Sequence, residues 1–190
     1  MKILKKIDYN SPVVLSFAFV SFVVVLLGYL TNGFTTKLLF CTYRFSPMDI
    51  LGYVRLFGHV LGHANLSHYI NNMMMILLVG PMLEEKYGSR LLLEMILITA
   101  FITGLINNLL FPSALLGASG IVFMMIILSS VTSVKEGKIP LTLIVVVIMY
   151  LGEQIVVGLF SADNISQLTH IVGGVCGGLF GMMMNKKGVC

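Results

Sequence analysis

The sequence predicts an all-α membrane protein built as a bundle of six transmembrane helices. Hydrophobic residues make up 57% of its 190 residues, charged residues only 11%, and the mean hydropathy is +0.98. This composition lies far outside the soluble range and indicates several membrane spans. The length fits one domain, residues 1–190. The chain is therefore expected to reside in a lipid bilayer as a multi-pass protein.

Six apolar segments justify the predicted spans, each near the length that crosses a bilayer as a helix. The N-terminal segment follows a basic start, but its apolar run is too long for a signal peptide and no clean cleavage site follows, so we expect it to be retained. In chain order the predicted spans are Val13–Leu30, Leu66–Leu83, Leu91–Leu110, Ser119–Val134, Ile139–Phe160 and Leu168–Met184.

The interval between the first two spans, residues 31–65, mixes aromatic and charged side chains with short apolar patches. Such a segment is typical of chain that lies in the membrane interface rather than crossing the bilayer. We therefore expect a long interfacial loop on the external side.

The basic residues predict the orientation of the bundle. If the N-terminus is cytoplasmic, only Lys37, Arg44 and Arg55 of the twelve basic residues fall outside. The positive-inside rule favours this arrangement, with both termini cytoplasmic. The nine basic residues then inside are Lys2, Lys5, Lys6, Lys86, Arg90, Lys135, Lys138, Lys186 and Lys187.

Charge and cysteine content exclude several function classes. The net charge of +4 arises from short basic clusters between apolar runs, which indicates membrane-flanking charge rather than nucleic-acid binding. The three cysteines have no paired spacing, so neither a disulfide framework nor a zinc site follows, and Cys176 is interpreted as a small packing residue. No cofactor is expected.

The predicted orientation brings the polar groups with catalytic potential to one depth. The second, fourth and sixth spans all run from outside to inside. Near their outer ends lie His68 and Asn72, then Ser119, then His170. All four histidines of the chain lie on this side, which favours a functional site over packing.

The fourth and sixth spans carry a candidate nucleophile and base. Ser119 lies in the glycine-flanked turn of PSALLGASGIVFM, and His170 begins HIVGGVCGG. Glycines spaced by four along the sixth span form a smooth strip that predicts close packing on the fourth span near Gly117 and Gly120. This packing would bring His170 within reach of Ser119, where a neutral imidazole could take the hydroxyl proton. The strip consists of Gly173, Gly177 and Gly181.

No carboxylate is near His170 in sequence except Asp163, one to two turns upstream in a predicted loop. A Ser–His dyad is therefore favoured over a triad. His68 and Asn72 are four apart and share a helical face, so an imidazole N–H and an amide could donate to an oxyanion. The backbone N–H of Ser119, at a helix start, could add a third donor.

Alternatives remain open at this point. The GASG turn could serve packing alone, and His68 with Asn72 could form an interhelical hydrogen bond. His59, His63 and His68 could bind a metal in a small transporter, although His63 and His68 are off one face and neither a cysteine nor a carboxylate completes the set. No metal is expected.

These residues resemble the rhomboid intramembrane serine proteases over nearly the whole chain. FGHVLGHANLSHYINN is similar to the family's second-span signature, GASG to its nucleophile motif and HIVGGVCGG to its final span. Arg55 is similar to the arginine of the first external loop, and Glu84 resembles a recurrent cytoplasmic feature. The order of these motifs on the predicted spans is more specific than any one of them.

The resemblance implies a single rhomboid-like domain with a Ser119–His170 dyad open to the external face. The oxyanion hole would comprise His68, Asn72 and the Ser119 backbone. Such enzymes cleave single-span membrane proteins near the outer surface. The small size suggests a bacterial plasma (inner) membrane. The alternative is a catalytically silent rhomboid-like protein that binds client helices, although such relatives typically lack the serine or the histidine.

Two positions depart from the family pattern. Phe123 stands where a tyrosine often stacks on the base, and it keeps the ring. Val54 stands where a tryptophan commonly precedes Arg55, so the anchoring of the first loop is open.

Two carboxylates lie within predicted spans. Glu153 could serve a lateral gate or an interhelical hydrogen bond, and Glu94 is expected to snorkel or to pair with a basic residue.

Overall fold

The computed structural model describes residues 9–131, 141, 144–145, 148–149 and 164–186. The named elements of this part are all helical, with one isolated backbone bridge between Thr42 and Leu115, so the all-α prediction is confirmed. The helices are α1 (Pro12–Leu30), α2 (Phe34–Leu39), α3 (Ile50–Gly58) continued by a 3₁₀ turn (His59–Leu61), α4 (Leu66–Tyr87), α5 (Ser89–Leu110), α6 (Ser119–Val131) and α7 (Asn164–Lys186).

Four of these helices, α1, α4, α5 and α7, are long and apolar enough to cross a membrane. Their cores coincide with four predicted spans, and α4 continues four residues past the predicted end. Two shorter apolar helices are Ile50–Leu61 and Ser119–Val131. The predicted fifth span, Ile139–Phe160, lies outside the described residues except at isolated positions. The count of six spans and the side of the termini stay predictions.

A buried carboxylate joins α1 to α4. Glu84, 4% exposed, accepts the backbone N–H groups of Val13 at 2.9 Å and Val14 at 3.0 Å, and its Oε1 also accepts the Ser89 hydroxyl at 2.7 Å. The first N–H groups of a helix lack intrahelical partners, so the carboxylate caps α1 from a different helix. Because Tyr29 at the far end of α1 contacts Leu66 at the start of α4, the two helices are antiparallel.

The glycine strip of α7 packs against the backbone of α6, as predicted. A side chain on Gly173 would collide with Gly120, and one on Gly177 would collide with the Met124 carbonyl group. At Gly181 an added Cβ would lie 2.6 Å from Val131. The contacts advance along both helices together, so α6 and α7 run parallel and both begin at the same end of the bundle. Cys176, between these glycines, is buried, as expected of a packing residue.

The segment before α4 folds back on the bundle around a buried arginine. Arg55 is 3% exposed, pairs with Asp49 at 2.8 Å and lies 4.5 Å above the ring of Tyr43. Its Nε also donates to the Leu51 carbonyl at 3.2 Å. The loop is thus anchored through Arg55 itself, and Val54 is half exposed beside it.

Glu94 pairs with Arg90 at 3.0 Å. This ion pair confirms the expectation that Glu94 snorkels or pairs with a basic residue.

Candidate functional site

Ser119 is the first residue of α6 and follows an irregular segment, residues 111–118. Irregular backbone at membrane depth is tolerated only where its polar groups are bonded within the protein. Here Leu115 exchanges two backbone hydrogen bonds with Thr42, at 2.7 and 2.9 Å, and the Gly117 N–H donates to the His59 carbonyl at 2.9 Å. The segment before α4 therefore supports the turn that carries Ser119.

Gly117 brings this turn against His68 of α4. Its φ of +130° disfavours any residue with a side chain. An added Cβ would also lie 2.8 Å from Cε1 and 2.9 Å from Nε2 of the His68 imidazole. The glycine thus allows both the turn and the approach of the ring. His68 and the Ser119 turn, separated by about fifty residues in sequence, lie together.

Asn72 lies one turn below His68 on α4 and is 7% exposed. Its Nδ2 atom is buried and has no hydrogen-bond partner among the described residues. Buried amide donors are nearly always bonded, and an unsatisfied one costs about 1–3 kcal/mol. An unbonded donor one helical turn from His68, which packs against Gly117, is available to a transient acceptor.

His170 lies beside the first turn of α6. Its ring is 4.5 Å from the Phe123 ring, centroid to centroid, at an interplanar angle of 41°. An added Cβ on Gly120 would lie 3.2 Å from Cγ2 of Thr169, the residue before His170. Residues adjacent to Ser119 and His170 therefore touch, and both residues are partly exposed. Of the predicted supporting residues, Phe123 and Gly120 lie at this junction, and Gly117 lies against His68.

Residues outside the predicted set hold His68 in place. Asn65 caps α4 by accepting the His68 backbone N–H at 2.8 Å, and Tyr29 of α1 accepts the Leu66 N–H at 3.2 Å. The ring of His63 packs edge-on against His68, with centroids 5.1 Å apart. Burial lowers the pKa of His63, in the link before α4, to about 4, so this ring is neutral at ordinary pH.

The other histidine of the segment, His59, is fully buried, and although its carbonyl accepts the Gly117 N–H, its ring contacts other residues. Its Nδ1 lies 3.3 Å from the Arg55 carbonyl oxygen and its Nε2 lies 3.3 Å from the Thr103 hydroxyl. Both ring nitrogens are thus engaged with the protein. Within residues 9–131 and 164–186, no three His, Cys, Asp or Glu side chains group as metal ligands would.

Sequence reasoning missed the residues that support the site from a distance. Asn65 carried a usable signal, because an asparagine directly before a helix is a preferred cap. Tyr29 and Thr103 carried none, since their partners lie 37 and 44 residues away in sequence. Asp163 and Glu153 lie outside the described residues.

Comparison with known proteins gives one finding. The family model described as the Rhomboid domain matches residues 51–187, a stretch that contains His68, Asn72, Ser119 and His170. No curated protein matches the chain. The match covers more than half of the sequence and includes α4, α5, α6 and α7, the helices that surround the serine turn. The chain belongs to the rhomboid family.

Proposed function

We propose that the chain is an intramembrane serine endopeptidase that hydrolyses a peptide bond in or near the transmembrane helix of single-span membrane proteins. The observation that carries the proposal is the junction of α6 and α7. There the Phe123 ring lies 4.5 Å from His170 and Gly120 touches Thr169. On this proposal Ser119 is the nucleophile and His170 the general base.

The chemistry proceeds in two steps. The Ser119 Oγ attacks the scissile carbonyl carbon while His170 accepts the hydroxyl proton. The tetrahedral oxyanion accepts hydrogen bonds from His68, the Asn72 amide and the Ser119 backbone N–H. His170 then gives its proton to the leaving amine, and an acyl-enzyme remains. A water, deprotonated by His170, attacks this ester, and His170 returns the proton to the Ser119 Oγ as the carboxylic acid product leaves.

Phe123 keeps the imidazole of His170 oriented toward Ser119 by ring contact. A phenyl ring does this without a hydroxyl, so the departure from tyrosine leaves the role intact. The unbonded Nδ2 of Asn72 supports its assignment as an oxyanion donor, because no hydrogen bond to a described residue has to break before it donates to the developing charge.

The substrate must expose a peptide bond that its own helix hides. Residues that weaken a helix, such as glycine or proline, or small residues near the cut, would let the segment unwind locally. We place the enzyme in a bacterial plasma membrane as a multi-pass protein, with the site toward the external face and without metal, cofactor or nucleic acid. Cleavage sites that fall consistently in unbroken leucine-rich helix would contradict this substrate preference.

Labelling with a fluorophosphonate probe tests the dyad. Detergent-purified parent protein is expected to label, whereas Ser119→Ala and His170→Ala are expected to label at least about a hundredfold more slowly. Ser130→Ala is the matched control, because this serine lies on the same helix and only donates to the Ile126 carbonyl. Its labelling should equal that of the parent.

Two results would contradict the proposal. Equal labelling of Ser119→Ala would locate the reactive serine elsewhere. Absence of labelling in folded parent protein would favour a catalytically silent rhomboid-like protein that binds client helices. Cleavage of a reconstituted single-span substrate by the parent, and not by Ser119→Ala, completes the test.

A further inference from the structure

A cavity of about 390 Å³ lies beside the site, and Leu116 of the segment before Ser119 is part of its lining. It opens between the last turn of α1, the short helix α2 and the link that leads into α4. Tyr29, Asn32 and Lys37 line one side, and His63 and Asn65 line the other. Because spanning helices end and begin here, the cavity lies at the level of the lipid headgroups.

The polar lining can donate hydrogen bonds and carries one positive charge. The Oδ1 atom of Asn65 accepts the His68 N–H, so its amide N–H₂ is left for the cavity. Lys37 is exposed and forms no ion pair within the described part of the chain. No carboxylate lines the cavity. Asn32 and Thr36 add an amide and a hydroxyl to the same wall.

We propose that this cavity binds a phosphate group, carried either by the headgroup of an anionic phospholipid or by free phosphate. An ammonium group with converging amide donors suits a phosphate oxygen. Basic pockets between spanning helices bind lipid headgroups by the same chemistry. The remaining wall includes Val25 and Leu116, which would contact the apolar part of a lipid and favour a headgroup over a free ion.

The cavity shares two residues with the support of His68. Asn65 caps the first turn of α4, and the His63 ring packs on His68 at 5.1 Å. A bound phosphate would hold Asn65 and restrain the turn that carries His68. On this point the inference rests on the proposed function: anionic lipid should raise the rate of proteolysis several-fold.

Binding is measured first and does not depend on activity. Full-length protein in detergent is titrated with phosphatidylglycerol, phosphatidylcholine or inorganic phosphate, and bound adducts are quantified by native mass spectrometry. Phosphatidylglycerol is expected to bind about tenfold more tightly to the parent than to Lys37→Gln or Asn32→Asp. Asn32→Asp nearly preserves the size of an exposed side chain while replacing the donor amide with a repelling carboxylate, so folding should survive.

Lys86→Gln is the control, because it removes the same charge from the last turn of α4, at the other end of that helix. It should bind phosphatidylglycerol like the parent. Binding of phosphatidylglycerol but not of inorganic phosphate identifies the headgroup as ligand. Competition by inorganic phosphate identifies a free-anion site. Equal affinity of the parent, Lys37→Gln and Asn32→Asp for both probes would overturn the proposal.

A second experiment measures the rate of proteolysis of a single-span substrate in vesicles of phosphatidylcholine, with and without one quarter phosphatidylglycerol. A several-fold gain in the parent that Lys37→Gln loses supports the link to His68. Binding without any proteolysis by the parent would leave the phosphate site standing and reject the proposed function. Proteolysis with the same lipid gain in Lys37→Gln and the parent would leave the proposed function standing and reject the link between the phosphate site and His68.

Discussion

At the scale of single residues, Asn72 combines a buried environment with an unbonded donor. It is 7% exposed, yet its Nδ2 atom has no partner within residues 9–131 and 164–186. Buried donors are bonded in most folds, so an unbonded one marks strain or function. Its position one turn from His68, which packs against Gly117, agrees with an oxyanion donor.

Replacing Asn72 by alanine should lower the rate of fluorophosphonate labelling on the order of a hundredfold. The free energy of unfolding should change little, because the lost Nδ2 group makes no hydrogen bond to any residue that the structure describes. Labelling kinetics and an SDS unfolding titration in mild-detergent micelles provide the two measurements.

Asn107→Ala is the matched control for this variant. Asn107 is also a buried asparagine, but its Nδ2 donates to the carbonyls of Thr42 and Ser113, at 3.4 and 3.1 Å. Its loss should reduce stability by about 1–3 kcal/mol. The assignment of Asn72 fails if Asn72→Ala is destabilised to the same extent while its labelling rate is unchanged.

At the scale of helices, backbone contact between α6 and α7 determines where Ser119 and His170 can meet. The contact depends on glycine at Gly173 and Gly177, since a side chain at either position would meet the backbone of α6. Backbone cannot rotate aside as a side chain can, so the helices would have to separate. The site is therefore sensitive to substitutions several turns below it.

Gly177→Ala should destabilise the protein by about 1–3 kcal/mol through overpacking and should slow labelling, because α7 is displaced from α6. Gly178→Ala tests whether the effect is steric. There an added Cβ would lie 3.8 Å from Ile127, an ordinary contact, and alanine favours a helix by up to about 1 kcal/mol. Equal unfolding midpoints for the two variants would contradict the packing argument.

Glu84 connects three elements with one carboxylate, and Glu84→Gln tests this connection. An amide has a single acceptor oxygen, so one of the Val13 and Val14 N–H groups would face an N–H₂ group. We expect a loss of about 1–3 kcal/mol in the free energy of unfolding. Glu85→Gln, at the exposed neighbouring position, should stay within about 0.5 kcal/mol of the parent. Similar losses in both variants would argue against the cap.

At the scale of the whole molecule, the distribution of basic residues predicts the sides of the membrane. A reporter active only outside the cytoplasm should be silent when fused to either terminus and active when inserted at Ser113, in the exposed turn before α6. The reason is that nine basic residues lie on the predicted inner side and only three on the predicted outer side. Activity at a terminus, or silence at Ser113, would reverse or break the predicted orientation.

The parallel run of α6 and α7 agrees with this orientation, because both helices begin at the level of the serine turn. α4 also begins there, with His68 in its first turn. Three helix starts thus meet at one end of the bundle. Helix starts carry the positive ends of the helix dipoles, which makes this end suited to binding negative charge.

The membrane class of the protein, the positions of α1, α4, α5 and α7, and the candidate residues Ser119, His170, His68 and Asn72 could all be predicted from the sequence. These follow from local properties: hydropathy summed over one segment, glycine spacing along one helix and motifs within one stretch. Local signals persist whatever the neighbours are, because a span must be apolar and a close contact must be small.

Three features could be seen only in the folded molecule: which helices share a cap, how Arg55 is anchored without a tryptophan, and what supports His68. Glu84 meets Val13 across 71 residues, and Tyr29 meets Leu66 across 37. Such contacts depend on the rotation and depth of whole helices, and no local pattern encodes these. The cavity around Lys37 could not be predicted from local patterns either, because its walls come from three separate segments that only the packed bundle brings together.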